Sequence, residues 1–273
     1  MHTRLRGVTS LLVARHGRLV VERYYDGYDA ADRFPIFSIT KTFVSCLIGI
    51  ALADGYLHNV DERLGEALPQ TRSRITLHQL LTMTAGFGRG FNFQVTDPIE
   101  LANRPLVNAP GTTFNYDSGS SDLLAAVLER ATHEPLGQYA ERRLFRPLGI
   151  QAARWPGSKG GSGLVLRSRE LLAFGQIYLD GGVWRGRRIV PASWVRDSTR
   201  SHVDVAPRHG LTAGYGYNWW VDDRRPRAYV AHGYLGQALT VFPTLDAVVV
   251  VTSSGETVES GFTLARIIAR RLH

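Results

Sequence analysis

The sequence predicts an α+β fold in which an antiparallel β-sheet is flanked by helices and interrupted by a mostly helical domain. Three observations support this prediction. Short β-rich runs lie near both ends of the 273-residue chain, a long apolar helix follows the first of them, and helical patterns dominate the middle. Strands at both ends with helices between them indicate one sheet domain, formed by residues 1–55 and 200–273, and an inserted helical domain over residues 56–199.

The predicted elements begin with a β-hairpin and a buried helix. Residues 8–25 contain two apolar runs separated by the turn sequence R-H-G-R. From Ser38 to Gly55, apolar residues recur at helical intervals and cover nearly every side, which is typical of a buried helix. Glycine at position 55 can adopt the left-handed conformation that ends a helix. The polar residues Ser38 and Lys41 at the start of such a helix therefore need a functional explanation.

The middle of the chain alternates helices and loops, and the last part is rich in β-structure. Thr76 and Gln79 form a capping box that opens a helix ending near Gly86. Residues 87–108 are expected to form a loop with a helical piece. Further helices are predicted over residues 120–132, 136–145, 168–179 and 191–199. Three β-rich runs follow over residues 215–221, 238–242 and 247–252, before a final amphipathic helix over residues 258–272.

Composition and charge exclude several function classes. The net charge of +8 comes from scattered arginines without an aromatic-basic motif, so no nucleic-acid partner is expected. No apolar stretch approaches the length of a membrane span, so no membrane partner is expected. No signal peptide is recognised, which favours a cytoplasmic protein, or a secreted or periplasmic one if a leader is missing. Cys46 is the single cysteine and no H-E-x-x-H motif occurs, so no metal is expected. A Rossmann fingerprint, a P-loop and a G-x-S-x-G elbow are also absent, and no organic cofactor is expected.

Ser38 and Lys41 form the strongest candidate for chemistry. Residues three apart on a helix share a face, so the serine hydroxyl and the lysine amine can meet. A serine becomes a nucleophile when a neighbour accepts its proton, and a lysine accepts one where burial disfavours its charged form. Lys41 and Lys159 are the two lysines among 32 basic residues, and arginine cannot act as a base. The tetrapeptide S-x-x-K is common by chance, but burial and the scarcity of lysine favour a catalytic pair at a helix start whose N–H groups can hold an oxyanion.

Two further stretches can complete such a site. Tyr116 follows a Pro-Gly turn and directly precedes a predicted helix, where a side chain can be displayed; alone, it would be interpreted as a core tyrosine. Gly233, in the run A-H-G-Y, would let a substrate lie along a strand and accept a backbone N–H hydrogen bond. His232 beside it is about equally well interpreted as an acid–base group and as a structural histidine.

These motifs resemble those of the class C β-lactamase-like superfamily, in which S-x-x-K is followed by Y-x-N and K-T-G. This superfamily includes family VIII carboxylesterases, D-alanyl-D-alanine peptidases and 6-aminohexanoate-dimer hydrolases. The motif sequences of this chain look closest to those of the last branch. The resemblance extends over nearly the whole chain and implies a β-lactamase/transpeptidase-like fold. It is carried by the runs S-L-L-V-A-R-H-G-R-L-V-V-E-R-Y-Y, F-S-I-T-K, I-T-L-H-Q-L-L-T-M-T-A-G, P-G-T-T-F-N-Y-D-S, G-G-S-G-L, L-D-G-G-V-W and Y-G-Y-N-W-W.

The resemblance also implies roles for individual residues. Ser38 would be the acyl-forming nucleophile, Lys41 its base partner and Tyr116 the group that passes the proton to the leaving group. The oxyanion would be held by the backbone N–H groups of Ser38 and Tyr234 if A-H-G aligns with K-T-G. A register shifted by one residue would instead make His232 the equivalent of the family lysine.

Two departures from the family pattern bear on the substrate. Ser118 stands where Y-x-N has its asparagine and reaches less far toward a lactam or peptide carbonyl. In the preferred register the lysine of K-T-G is absent, so the cation that would meet a β-lactam carboxylate is missing. Both departures weaken the β-lactamase interpretation. Ser118, His232, Gly233 and Trp220, the last from the run Y-G-Y-N-W-W, are the expected substrate-binding residues.

Together these features predict a serine hydrolase that cleaves the ester or amide bond of a small-molecule substrate. A carboxylesterase or a 6-aminohexanoate-oligomer-type amidase is the preferred activity. Three alternatives fit the same residues. They are a β-lactamase or D-Ala-D-Ala carboxypeptidase, a transacylase, and an acyl-binding protein that acylates without turning over.

Overall fold

The computed structural model describes residues 6–71, 73–88, 97–151, 153–208, 211–255 and 260–272. Its central element is an eight-stranded antiparallel sheet with the order β2-β1-β8-β7-β6-β5-β4-β3. The strands are β1 (Val8–Arg15), β2 (Arg18–Tyr24), β3 (Val203–Arg208), β4 (Leu211–Tyr215), β5 (Trp220–Asp222), β6 (Ala228–His232), β7 (Ala238–Phe242) and β8 (Ala247–Ser253). The first and last parts of the chain therefore meet where β1 pairs with β8.

Helices cover both faces of this sheet, which explains why β8 contains four consecutive valines. Side chains alternate between the two faces of a strand. Val248 and Val250 pack into a core that includes Phe174, whereas Val249 and Val251 pack into a second core that includes Phe262. Both faces of β8 are therefore dry, and every residue of this strand is buried. The described helices are α1 (Thr40–Ala53), α2 (Leu64–Ala67), α3 (Leu77–Leu81), α4 (Pro98–Ala102), α5 (Gly119–Thr132), α6 (Leu136–Ala140), α7 (Arg146–Leu148), α8 (Ser168–Leu179), α9 (Ala192–Ser198) and α10 (Gly261–Ala269).

Helix α1 is the buried helix that the apolar pattern predicts. Its residues from Thr40 to Ala51 are all buried, and it ends at Asp54 with Gly55 at φ +79°. The predicted start at Ser38 is corrected in one respect, because a 3₁₀ turn over Phe37–Ile39 precedes the α-helix. Phe43 stacks on Phe174 of α8 with ring centroids 3.7 Å apart. This contact packs α1 against α8, which itself packs on the sheet.

The middle of the chain is mostly helical, as predicted, and α5 packs against α1, α3, α4 and α6. Helix α8 lies within the predicted insertion over residues 56–199 but packs against β1, β7 and β8. The division into two domains stays a prediction. The predicted single helix over 136–145 is corrected to α6 followed by a π-helical turn over Glu141–Phe145 and then α7.

Several other boundaries are corrected. The capping box of Thr76 and Gln79 is present, but its helix ends at Leu81, before the predicted end near Gly86. Met83 then adopts φ +58° and its carbonyl accepts the N–H of Asn115 at 2.9 Å, so the chain turns toward the segment that carries Tyr116. The final helix is shorter than predicted, and residues 258 and 259 of that prediction, like 89–96 of the predicted loop, lie outside the described residues.

The β-rich runs are confirmed. The run over 215–221 divides between the end of β4 and the start of β5, with a turn between them. In the central sheet, β3 was not predicted, and β6 was predicted only as a strand around the run A-H-G-Y, without bounds. Over the described ranges, no helix has both the length and the apolar character that crossing a bilayer requires.

Candidate active site

Ser38 lies in the 3₁₀ turn that leads into α1, directly after a strained residue. Phe37 has φ +47°, in the left-handed region that an aromatic residue rarely adopts. Its ring meets the ring of Tyr234 edge-on, with centroids 5.8 Å apart. The turn also contacts strand β6. The backbone around Ser38 is therefore held between α1 and the end of that strand.

Lys41 is buried and makes three hydrogen bonds through its amine. Only 1% of its surface is exposed. The Nζ atom donates to the Ser38 hydroxyl at 3.2 Å, to the Ser118 hydroxyl at 3.1 Å and to the Gly161 carbonyl at 2.6 Å. These three oxygen atoms satisfy the hydrogen-bonding capacity of the buried amine. The predicted meeting of Ser38 and Lys41 is thus observed in the geometry.

Tyr116 contacts the same amine with the face of its ring. The Lys41 Nζ atom is 5.2 Å from the centroid of the Tyr116 ring, which is a cation–π distance. The Tyr116 ring also stacks on the ring of Trp220, with ring centroids 5.5 Å apart and an interplanar angle of 29°. Trp220 is 6% exposed. The structure therefore places this predicted substrate-binding residue behind Tyr116, where it orients the phenol.

Gly233 brings the end of β6 against the segment that precedes Ser38. A Cβ atom at position 233 would lie 2.5 Å from the Ile36 carbonyl oxygen, so a larger residue would force the two segments apart. His232, half-buried, is the last residue of β6 and pairs with Ala238 of β7. Tyr234 follows as the first residue of a short 3₁₀ turn. These contacts place the predicted oxyanion residue beside the turn of Ser38.

Three groups around Lys41 were missed by the analysis of the sequence. The Gly161 carbonyl accepts the shortest of the three amine hydrogen bonds. The Asn218 side-chain amide donates to the Lys41 backbone carbonyl at 3.1 Å, bracing the first turn of α1. Asp122 of α5 accepts the Gly161 N–H at 2.8 Å. The run G-G-S-G was a signal for the first of these, since clustered glycines allow a backbone to approach closely.

Two carboxyl groups near Lys41 have perturbed titrations. Burial raises the pKa of Asp117, against which hydrogen bonds from the Ser120 N–H and hydroxyl and the positive charge of Lys41 act to lower it. Burial likewise raises the pKa of Asp122, and the Gly161 N–H and the charge of Lys41 lower it. Two partly desolvated acids near one buried amine are typical of a functional site.

Comparison with known proteins agrees with this geometry. The family model described as Beta-lactamase matches residues 2–272. The chain belongs to the β-lactamase family. This confirms the resemblance drawn from F-S-I-T-K and the accompanying runs.

Individual relatives make the likeness more specific. The chain is 24% identical over 284 residues to 6-aminohexanoate-dimer hydrolase of Paenarthrobacter ureafaciens, covering 90% of this chain and 72% of that protein. It is 30% identical over 188 residues to esterase EstB of Burkholderia gladioli, covering 54% of this chain and 46% of the esterase. The structure of a candidate 6-aminohexanoate-dimer hydrolase from Bacillus anthracis superposes with a TM-score of 0.83 at 20% identity, covering 98% of this chain and 79% of that one. This last likeness confirms the predicted fold.

Proposed function

We propose that this protein is a serine hydrolase that forms an acyl-enzyme at Ser38. The observation that carries the proposal is the buried Lys41 amine 3.2 Å from the Ser38 hydroxyl. A nucleophile within hydrogen-bond reach of a base, with the base oriented by further partners, is the arrangement that activates a serine. Ser118 and Gly161 are those further partners.

The proposed chemistry is acyl transfer in two steps. The Ser38 Oγ atom attacks a carbonyl carbon while Lys41 takes the hydroxyl proton. The carbonyl oxygen becomes an oxyanion, which the N–H groups of Ser38 and Tyr234 stabilise by hydrogen bonds. When the bond to the leaving group breaks, the proton passes to that group from Lys41 by way of the Tyr116 hydroxyl. Water then repeats the attack on the acyl-enzyme and releases the acid, which restores the free Ser38 hydroxyl.

The substrate class is an ester or an unstrained amide rather than a β-lactam. The named relatives are a 6-aminohexanoate-dimer hydrolase and an esterase, which supports both bond types. The asparagine of Y-x-N is replaced by Ser118, whose hydroxyl is engaged by Lys41 at 3.1 Å. In the favoured register His232 and Gly233 provide no lysine for a β-lactam carboxylate. A small-molecule ester or amide that needs no lysine to hold a carboxylate therefore fits this site best.

Hydrolysis of p-nitrophenyl acetate by the wild type and Ser38→Ala tests the proposal. We expect the alanine variant to lose at least ~10³-fold in kcat, because catalytic groups that act as a unit fail together. Ser45→Ala is the matched control, since Ser45 lies about two turns beyond Ser38 and its buried hydroxyl has no hydrogen-bond partner among the described residues. A mass increase of one acetyl group on Ser38 should appear during turnover.

The alternatives give different results in the same assay. Equal rates for wild type and Ser38→Ala would disprove the nucleophile. A burst equal to the enzyme concentration without steady turnover would indicate an acyl-binding protein. Transfer of the acetyl group to an added alcohol in preference to water would indicate a transacylase.

A further inference from the structure

A chain of hydrogen bonds connects Lys41 to a carboxylate on a different helix. The amine donates to the Gly161 carbonyl at 2.6 Å, and the N–H of the same glycine donates to the Asp122 carboxylate at 2.8 Å. Asp122 lies in the first turn of α5, four residues after Ser118, which also contacts the amine. One loop residue is thus held by the amine on its carbonyl side and by the carboxylate on its N–H side.

The loop can lie there only because positions 160 and 161 are both glycine. A Cβ atom at position 161 would be 2.6 Å from the Ser118 Cβ, and one at position 160 would be 1.9 Å from the Ser121 carbonyl oxygen. Both glycines therefore press against the first turn of α5, where Asp122 can reach the loop. Such close backbone approach is what makes the hydrogen bond from Gly161 to Asp122 geometrically available.

The Gly161 carbonyl matters because it can only accept. The hydroxyl groups of Ser38 and Ser118 can each donate or accept, whereas a carbonyl oxygen has no proton to give. A neutral lysine amine has two N–H bonds and one lone pair. If one N–H is fixed on Gly161 and the other on Ser118, the lone pair faces the Ser38 hydroxyl. The orientation of the carbonyl thereby sets the direction in which the amine accepts a proton.

We propose that Asp122 is a positioning residue for Lys41. Its carboxylate fixes the Gly161 peptide, and the peptide carbonyl directs the Lys41 lone pair at Ser38. Asp122 does not touch the reacting atoms. The inference rests on the proposed function, because it assigns a purpose to the orientation of a base.

Two substitutions test the hydrogen-bond acceptor at position 122, with p-nitrophenyl acetate as substrate. Asp122→Ala removes the acceptor, and we expect kcat to fall about 10- to 100-fold with KM changed less than threefold, as for a misoriented catalytic group. Asp122→Asn keeps an oxygen acceptor for the Gly161 N–H, and we expect kcat within about fivefold of wild type. Glu129→Gln, which removes a charge from the same helix two turns away, should change neither kcat nor KM.

The outcomes distinguish this inference from the proposed function. If Ser38→Ala is inactive but Asp122→Ala keeps kcat within twofold of wild type, the inference is overturned and the hydrolase assignment stands. If Ser38→Ala remains active, both are overturned. Should Asp122→Ala fail to fold, Asp122→Asn decides the matter, because it preserves size and the hydrogen bond. A folded Asn variant whose kcat falls as far as tenfold below wild type contradicts the inference.

Discussion

The surroundings of Lys41, which is buried, and those of the half-buried histidine pair His78 and His202 are both clusters of titratable groups, but they differ in the partners provided. Lys41 contacts two hydroxyl groups that can reverse their roles as donor and acceptor. His202 instead stacks on Tyr217 at 4.2 Å, and its Nε2 atom bonds to the Asp197 carbonyl. His78 bonds to the Tyr217 hydroxyl at 3.1 Å. Reversible partners suit proton transfer, whereas stacked rings and a fixed carbonyl suit a single protonation state.

This difference in partners predicts which measured property a substitution in each cluster should alter. Changes near Lys41 should alter turnover at neutral pH. Changes near His78 and His202 should alter the pH dependence of stability and leave turnover constant. The following variants test this separation, beginning with the largest expected effect.

Replacement of the base should have the largest effect. Lys41→Arg keeps the positive charge but cannot give up a proton, and we expect kcat/KM for p-nitrophenyl acetate to fall at least ~10³-fold. Lys159→Arg is the matched control, because Lys159 is the other lysine and is exposed. The control should stay within twofold of wild type. A Lys41→Arg variant within tenfold of wild type would show that another group is the base.

Displacement of the Gly161 carbonyl should have an intermediate effect. In Gly161→Ala the new Cβ would lie 2.6 Å from the Ser118 Cβ and 3.0 Å from the Ser118 carbonyl oxygen. Because helix backbone cannot give way, the loop must move and its carbonyl must leave Lys41. We expect a fall of about 10- to 100-fold in kcat. Gly88→Ala, where the added Cβ meets only Val107 side-chain atoms at 3.5 Å or more, is the control. Equal activity of the two variants would contradict a role for this carbonyl.

Removal of the Ser118 hydroxyl should have a smaller effect. Ser118→Ala leaves Lys41 with its contacts to Ser38 and Gly161, so only one of its three hydrogen-bond partners is lost. The loss of one such bond corresponds to about 1 kcal/mol, or roughly fivefold in kcat. Ser121→Ala is the control, since the Ser121 hydroxyl has no hydrogen-bond partner in the part of the chain that the structure describes. A thousandfold loss in Ser118→Ala would instead make Ser118 an essential proton carrier.

These variants also show which features a sequence can and cannot reveal. The Ser38 and Lys41 pair is local, because three residues of helix bring the side chains together, and the apolar pattern of α1 reports its burial. The fold was likewise readable from the strands at both ends. The roles given to Tyr116 and Tyr234 came from the family resemblance and remain predictions.

The contacts that were missed involve backbone groups or distant parts of the chain. The Gly161 carbonyl lies 120 residues from Lys41 and has no side chain to signal its role. Asp122 is one of 24 acidic residues, and only the close approach of the loop distinguishes it. Strand β3 was overlooked because Asp204, Pro207 and Arg208 interrupt its apolar pattern.

The smallest expected effect concerns the pH dependence of stability at the histidine pair. Burial lowers the pKa of both His78 and His202 in the folded protein, and the nearby charge of Arg200 adds to this. The unfolded chain therefore binds protons first as the pH falls. The stability that the neutral histidines contribute is present above about pH 6.5 and is lost as the pH drops below that value toward their folded pKa values.

Urea unfolding at pH 7.5 and pH 5.5 measures this loss. Because both side chains are only half-buried, we expect about 0.5 kcal/mol per histidine after allowing for solvent screening. His202→Phe keeps the ring that stacks on Tyr217 but cannot be protonated, so the difference between the two pH values should shrink. His58→Gln, at an exposed position, should leave the difference as in wild type. Turnover at neutral pH should be the same in all three proteins, and a His202→Phe variant with impaired turnover would show that the two clusters are coupled.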